Sequence, residues 1–176
     1  MKKIIQVIFI SLIIALKAFG QAETIKSSEY KNTAYRFSIK IPGNWKLYGE
    51  IPDDKIEHRA IADWGLPPIF SDLEKTNIEN SISITAYKKA NIKSVHQLIS
   101  MEAARTNPAT NIMKQDSTSE NARIILRTDR GLKYKGKSYF VFKNNIGYVI
   151  NFMATPGTYA KNLPAFEAFY KNVKFD

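Results

Sequence analysis

Along residues 35–41 apolar and polar side chains alternate: Tyr35, Phe37, Ile39 and Ile41 share one side, Arg36, Ser38 and Lys40 the other. A period of two predicts a β-strand with one buried and one wet face. Pro42 and Gly43 then predict a chain reversal over Ile41 to Asn44, because proline presets φ at a turn's second position and glycine accepts the positive φ of a type II turn. The reversal swings Trp45 back over the strand, which makes the indole a staple for the fold rather than a binding platform. Residues 49–80 keep no sustained period and carry Gly49, Pro52, Gly65, Pro67 and Pro68, so a long excursion with short helical turns is expected.

Alternation returns in SISITAYKK, 81–89, and predicts another strand. Ser94 with Gln97 has the spacing of a capping box, and Val95, Leu98 and Ile99 continue at helical spacing until Pro108. NIMKQD (111–116), ARIILRT (122–128), LKYKGKSYFVFK (132–143) and IGYVINFMA (146–154) read as successive antiparallel strands, with turns at Asp129-Arg130-Gly131 and Asn144-Asn145. In the last of them Tyr148, Ile150 and Phe152 face one way, Val149 and Met153 the other, which predicts cover on both faces of the sheet. Leu163, Phe166, Phe169, Tyr170 and Val173 predict an amphipathic C-terminal helix with Pro164 in its first turn. The expected architecture is α+β, an antiparallel β-sheet sandwiched between helices, in a single domain over 35–176 after a polar, flexible lead-in at 21–34.

The order of these elements resembles the PsbP-like proteins, named for an extrinsic photosystem II subunit and sharing a fold with a Ran-binding nuclear protein of the Mog type. The likeness covers residues 34–176 and rests on FSIKIPGNW, GYVINFMA and the closing FYKNVKF. It implies an α/β/α sandwich. It implies no catalytic residue, because that family shares no active site.

The first residues change the picture of where the chain works. Lys2 and Lys3, the apolar run Ile4 to Leu16 and the small residues around Ala18-Phe19-Gly20 fit an export signal at 1–20. The apolar run is short for a bilayer span, which needs about 20 residues. A periplasmic or extracellular protein with no integral membrane segment after cleavage is therefore expected. Loss of Lys2, Lys3 and Lys17 with the signal lowers the formal charge from +10 to +7, still basic. The expected partner is a protein or an anionic envelope component, not nucleic acid, met by a monomer. With no cysteine in the chain, thiol catalysis, disulfides and thiolate metal sites are excluded.

Four stretches carry candidate chemistry. Asp53, Asp54, Glu57 and His58 would present oxygen and nitrogen ligands to a cation or small ligand if they formed a helical turn, or would be a solvated acidic helix start. Arg130, Lys133, Lys135 and Lys137 would line a positive stripe for an anionic partner, or blunt an edge strand. Trp64 and Phe70 would offer a loop-borne aromatic patch, or fold back over the core. His96, in the first turn of the Ser94 helix, is expected to be exposed. No nucleophile elbow, phosphate loop or dinucleotide fingerprint occurs, so no enzymatic activity, catalytic residue or cofactor is expected. The functional expectation is a non-enzymatic exported binding or accessory module, with a ligand- or metal-binding protein built on Asp53 to His58 as the alternative.

Overall fold

Residues 146–154 form the middle strand of the main sheet, and their alternation organises the molecule. The computed structural model describes residues 27–105, 107, 109–129 and 131–176. The expected export signal and the first part of the lead-in lie outside them. The elements in chain order are β1 (Ser28–Asn32), β2 (Phe37–Ile41), β3 (Lys46–Asp54), β4 (Arg59–Gly65), β5 (Ile69–Ser71), β6 (Thr76–Ile78) and β7 (Ser81–Tyr87). Then follow α1 (Val95–Arg105), β8 (Asn111–Asp116), β9 (Ser119–Asp129), β10 (Leu132–Lys143), β11 (Ile146–Ala154), α2 (Pro156–Asn172) and β12 (Lys174–Phe175). A seven-stranded antiparallel sheet has the order β3-β4-β7-β11-β10-β9-β8, a three-stranded sheet has the order β1-β2-β12, and β5 pairs with β6.

Alternation decides which side chains meet. From β4, Ala60, Ala62 and Trp64 point inward; from β7, Ile82, Ile84 and Ala86; from β11, Tyr148, Ile150 and Phe152. Against them pack Phe166 and Phe169 of α2 and Phe37 and Ile39 of β2, so this inner layer is helix and sheet together. Tyr148, fully buried, donates its hydroxyl proton to the Tyr35 carbonyl at 2.9 Å, tying the two sheets. The tight β10–β11 turn is possible because Asn144 and Asn145 both accept positive φ, 52° and 61°. Gly131 does the same before β10, at 79°.

The outer face is covered differently. Leu98 of α1 sits over Phe140, Val149 and Tyr87, and a Cβ at Gly147 would stand only 3.0 Å from its Cδ1, so the glycine lets the helix approach. The Ser94 hydroxyl accepts from the Gln97 backbone N–H, and the Gln97 carboxamide accepts from Lys93 rather than Ser94, a cap shifted by one residue. With only 11 residues, α1 leaves the rest of this face uncovered.

The expected helix-sandwiched α/β/α architecture is therefore overturned. Strands hold 54% of the described residues and helices 19%, too little helix to cover two sheet faces. The protein is β-rich: a second sheet shares the inner layer with α2, and α1 covers only part of the outer face. Residues 28–32 form β1 where lead-in was expected, and the 49–80 excursion resolves into β3 to β6. Its alternation hides in the small Ala60 and Ala62, which count weakly as apolar but are wholly buried. The reversal after β2 is closed by the Trp45 N–H donating to the Pro42 carbonyl at 3.0 Å, one residue later than expected, and Gly43 does not use positive φ. Helix α2 begins at Pro156, so Pro164 lies inside it rather than in the first turn.

Trp45 is half-buried and stacks on Phe169 at 5.7 Å and 12° between planes. Trp64, 2% exposed, packs edge-on against Tyr30 at 5.1 Å. Trp64→Ala is expected to cost about 3–5 kcal/mol and Trp45→Ala about half of that, in proportion to burial. Thermal melts of both variants check this order, which fails if Trp45→Ala melts like the parent.

Candidate functional site

Asp53 to His58 close the β3–β4 hairpin instead of forming a helical turn. Asp54 Oδ1 accepts from the backbone N–H groups of Ile56 at 3.1 Å and Glu57 at 3.0 Å, and its other oxygen meets Arg59. These bonds, the Glu57 N–H foremost, hold the Asp54 carboxyl below its usual range. Asp53 pairs with Lys55, and Glu57 with Lys89 at 3.1 Å. His58 is exposed at φ 49°, a turn position. Each carboxylate in this stretch therefore has a partner within the protein. Among the described residues no group of three or more His, Cys, Asp or Glu side chains is placed to hold a metal ion.

The basic and aromatic candidates separate in the same way. Lys133 is exposed, but Lys135 lies over the Tyr159 ring at 4.3 Å and Lys137 is buried. The Lys137 ammonium meets Asp116 at 3.0 Å and Glu167 at 2.8 Å, joining β10 to the β8–β9 turn and to α2. Burial works against its charge, yet Glu167, Tyr139 and Asp116 outweigh it and hold the ammonium above its usual range. Arg130 lies outside the described residues. Trp64 belongs to the core, whereas Phe70 on β5 is 49% exposed. His96 is exposed, as its helical position suggested.

One concave surface lies on the uncovered part of the outer face. Asp63 of β4, Ser83 of β7, Asn151 of β11 and Ser138 of β10 are register partners in turn. They form one polar row across four strands, spanning roughly 14 Å at the usual strand spacing. The adjoining row runs Gly65, Ser81, Met153, Gly136, with the Tyr48 ring lying over Gly65 and the Met153 side chain over Gly136. Two openings of about 310 and 260 Å³ lie over these rows. They share Ser83, Arg127, Asn151 and Met153, so they read as one cleft, with Asp63 on one side and Glu102 of α1 on the other.

Orientation in the cleft follows from the hydrogen bonds. The Ser138 hydroxyl donates to Asn151 Oδ1 at 2.7 Å, which leaves the Asn151 amide nitrogen as the donor end. Arg127 is paired with Asp129 at 2.8 Å. Burial pushes the Asp63 carboxyl above its usual range, with the Trp64 backbone N–H countering in part, and Asp63 Oδ1 has no hydrogen-bond partner.

No protein-family model matches the chain, and no curated protein matches it in sequence. Solved structures similar to it include a crystal structure from Bacteroides thetaiotaomicron, at 15% identity and a TM-score of 0.45. That likeness covers 84% of this chain and 48% of the other, so this chain spans about half of that protein's length. They also include the solution structure of a cyanobacterial PsbP from Synechocystis sp. PCC 6803, at 10% identity and a TM-score of 0.48, covering 89% of this chain and 96% of that one. A PsbP is thus among its structural neighbours; at this distance no conclusion about activity or partner follows.

Sequence reasoning passed over the cleft residues although each left a trace. Asn151 interrupts the face that carries Val149 and Met153, and Ser81, Ser83 and Thr85 make one side of β7 uniformly small and polar. Only the register shows that these positions adjoin.

The buried Lys137 cluster predicts acid behaviour. The Thr118 N–H and then Lys137 lower the Asp116 carboxyl from 3.8 to about 2, which corresponds to about 2 kcal/mol of stability. A folded-state value below the unfolded one means that this contribution is complete above pH 3.8 and lost as pH falls through about 2. Asp116→Asn should flatten acid unfolding in that window when followed by circular dichroism. Lys137→Met, which strands two carboxylates, should cost about 3 kcal/mol or more, while Lys133→Met should leave the melting temperature unchanged.

Proposed function

We propose that this chain is a binding module that holds a small polar ligand in the cleft of its outer sheet face. The reading is carried by the row Asp63, Ser83, Asn151 and Ser138, four short polar side chains at the floor of a hollow rather than on a flat wet surface. A sheet face that only had to meet water would do so with long charged side chains standing off it. Here Ser138 is 1% exposed, and its bond to Asn151 orients an amide donor toward the hollow. Mixed donors and acceptors at fixed places on a partly apolar wall are what a specific small-molecule site requires.

The chemistry of the lining supports binding over turnover. None of the residues around the two openings is a histidine, so the serine hydroxyls have no imidazole beside them to activate a nucleophile. The buried Lys137 leaves the basic hairpin with fewer free cations than its sequence suggests, which favours the cleft over an anionic docking stripe. Set in the exported context that the N-terminal pattern implies, such a module would take up a solute outside the cytoplasm. Among the described residues no helix is long and apolar enough to cross a membrane.

Amide chemical shifts of labelled protein, titrated with small solutes of each charge class, test this reading. Shifts concentrated at Ser83, Asn151 and Ser138, and abolished in Ser83→Leu with the melting temperature retained, are the expected result. Shifts that gather at the Asp53 to His58 turn or around Phe70 instead would place binding elsewhere and overturn the proposal.

A further inference from the structure

The charge carried by the cleft is opposite to the charge carried by the chain. The protein has a formal net charge of +10, yet the one arginine among the described residues of the cleft, Arg127, is matched by Asp129 at 2.8 Å. Asp63 and Glu102, on either side of the hollow, form no ion pair among the described residues. Asp63 Oδ1 and Glu102 Oε1 are both cut off from water with no hydrogen-bond partner. The Tyr87 hydroxyl, which accepts from Arg105 at 3.2 Å, is itself hydrogen-bonded to Glu102, so one oxygen of that carboxylate is engaged and Oε1 is the open one. Buried acceptors without partners are rare and costly, and two of them beside one hollow call for donors from outside the protein.

We infer that the ligand of this cleft is a small organic dication of the alkyl diamine class, its two ammonium groups received by Asp63 and Glu102. The inference rests on the cleft being the binding site. Beside the polar row the lining includes the Met153 side chain, with Val149 and Phe140 largely covered by α1 behind it, an apolar patch that suits a hydrocarbon spacer. A carboxylate turns readily about its terminal torsion, so each can present its unpartnered oxygen to an ammonium at the cleft wall. The Ser83 hydroxyl and the residual acceptor capacity of Asn151 Oδ1 are placed to take further ammonium protons. A monoamine answers one carboxylate only, and an anion meets two negative groups.

Calorimetry and amide shifts with four probes of matched length test this: 1,4-diaminobutane, butylamine, 1,4-butanediol and succinate. The diamine is expected to bind saturably and to shift Ser83 and Asn151, with butylamine about tenfold weaker, the worth of one charged hydrogen bond. Diol and succinate should give no saturable signal. Asp63→Asn and Glu102→Gln should each weaken the diamine about tenfold while the protein stays folded, since each exchanges a carboxylate for an amide of the same shape that can still accept from its protein neighbour, the Trp64 N–H or the Tyr87 hydroxyl. Unchanged diamine affinity in both variants overturns the dication. If the diol or succinate shifts Ser83 and Asn151 while the diamine is silent, the cleft stands and the dication falls; silence of all four probes overturns the dication, and the cleft itself is decided by the wider titration with solutes of each charge class.

Discussion

β11 is flanked by three strands on each side, and every residue in it must suit one of two different environments. Its inward side chains, Tyr148, Ile150 and Phe152, are all fully buried. Its outward ones pass from Val149 under α1 to Asn151 and Met153 in the open. A slip of one residue against β7 or β10 would turn Asn151 into the core and Phe152 into the cleft, so the core enforces the register on which the polar row depends. Geometry on the wet side is inherited from packing on the dry side. That is the sense in which a row of four side chains from four strands is a constructed feature and not an accident of surface composition.

Charge is sorted by the same sheet. On the inner face the Lys137 ammonium is enclosed by Asp116 and Glu167, and the three groups pin the β8–β9 turn, β10 and the middle of α2 to one another. On the outer face Asp63 and Glu102 form no ion pair among the described residues, in a chain that is basic overall. Buried charge with partners serves cohesion, whereas buried charge without them weakens the fold and therefore points outward, to something that completes it. The two faces of one strand system thus differ in kind: the inner one encloses paired charge, the outer one carries a polar hollow.

How much of this could be read in advance depended on the size of the side chains doing the alternating. β8, β10 and β11 match their expected limits; in β11 large apolar residues at 148, 150 and 152 mark alternate positions, and Asn144-Asn145 marks the turn before it. β4 escaped because alanine carries little hydrophobic signal, although Ala60 and Ala62 are as buried as any isoleucine. The helix-sandwich expectation failed for a different reason: β11 is apolar on both sides for part of its length only, and Asn151 already marked where cover ends. Charge at Lys137 was legible but its direction was not. The strand that sends Lys133 into solvent sends Lys137 beneath α2, a distinction made by tertiary contacts alone.

The shortest strand has a kinetic meaning. β12 pairs Lys174 with Ser38 and Phe175 with Phe37, and Asp176 donates its N–H to the Arg36 carbonyl. β2 therefore lacks a neighbour on one edge until β12 pairs with it, and this contact closes the longest loop between paired strands among the described residues. Loop-closure entropy places such contacts late in folding, after the local hairpins of the main sheet have formed. Until then Phe37, wholly buried in the finished protein, sits beside an open strand edge. The β12 dipeptide works as a latch: it adds little area, but it ends the interval in which an apolar edge is available to a neighbouring molecule.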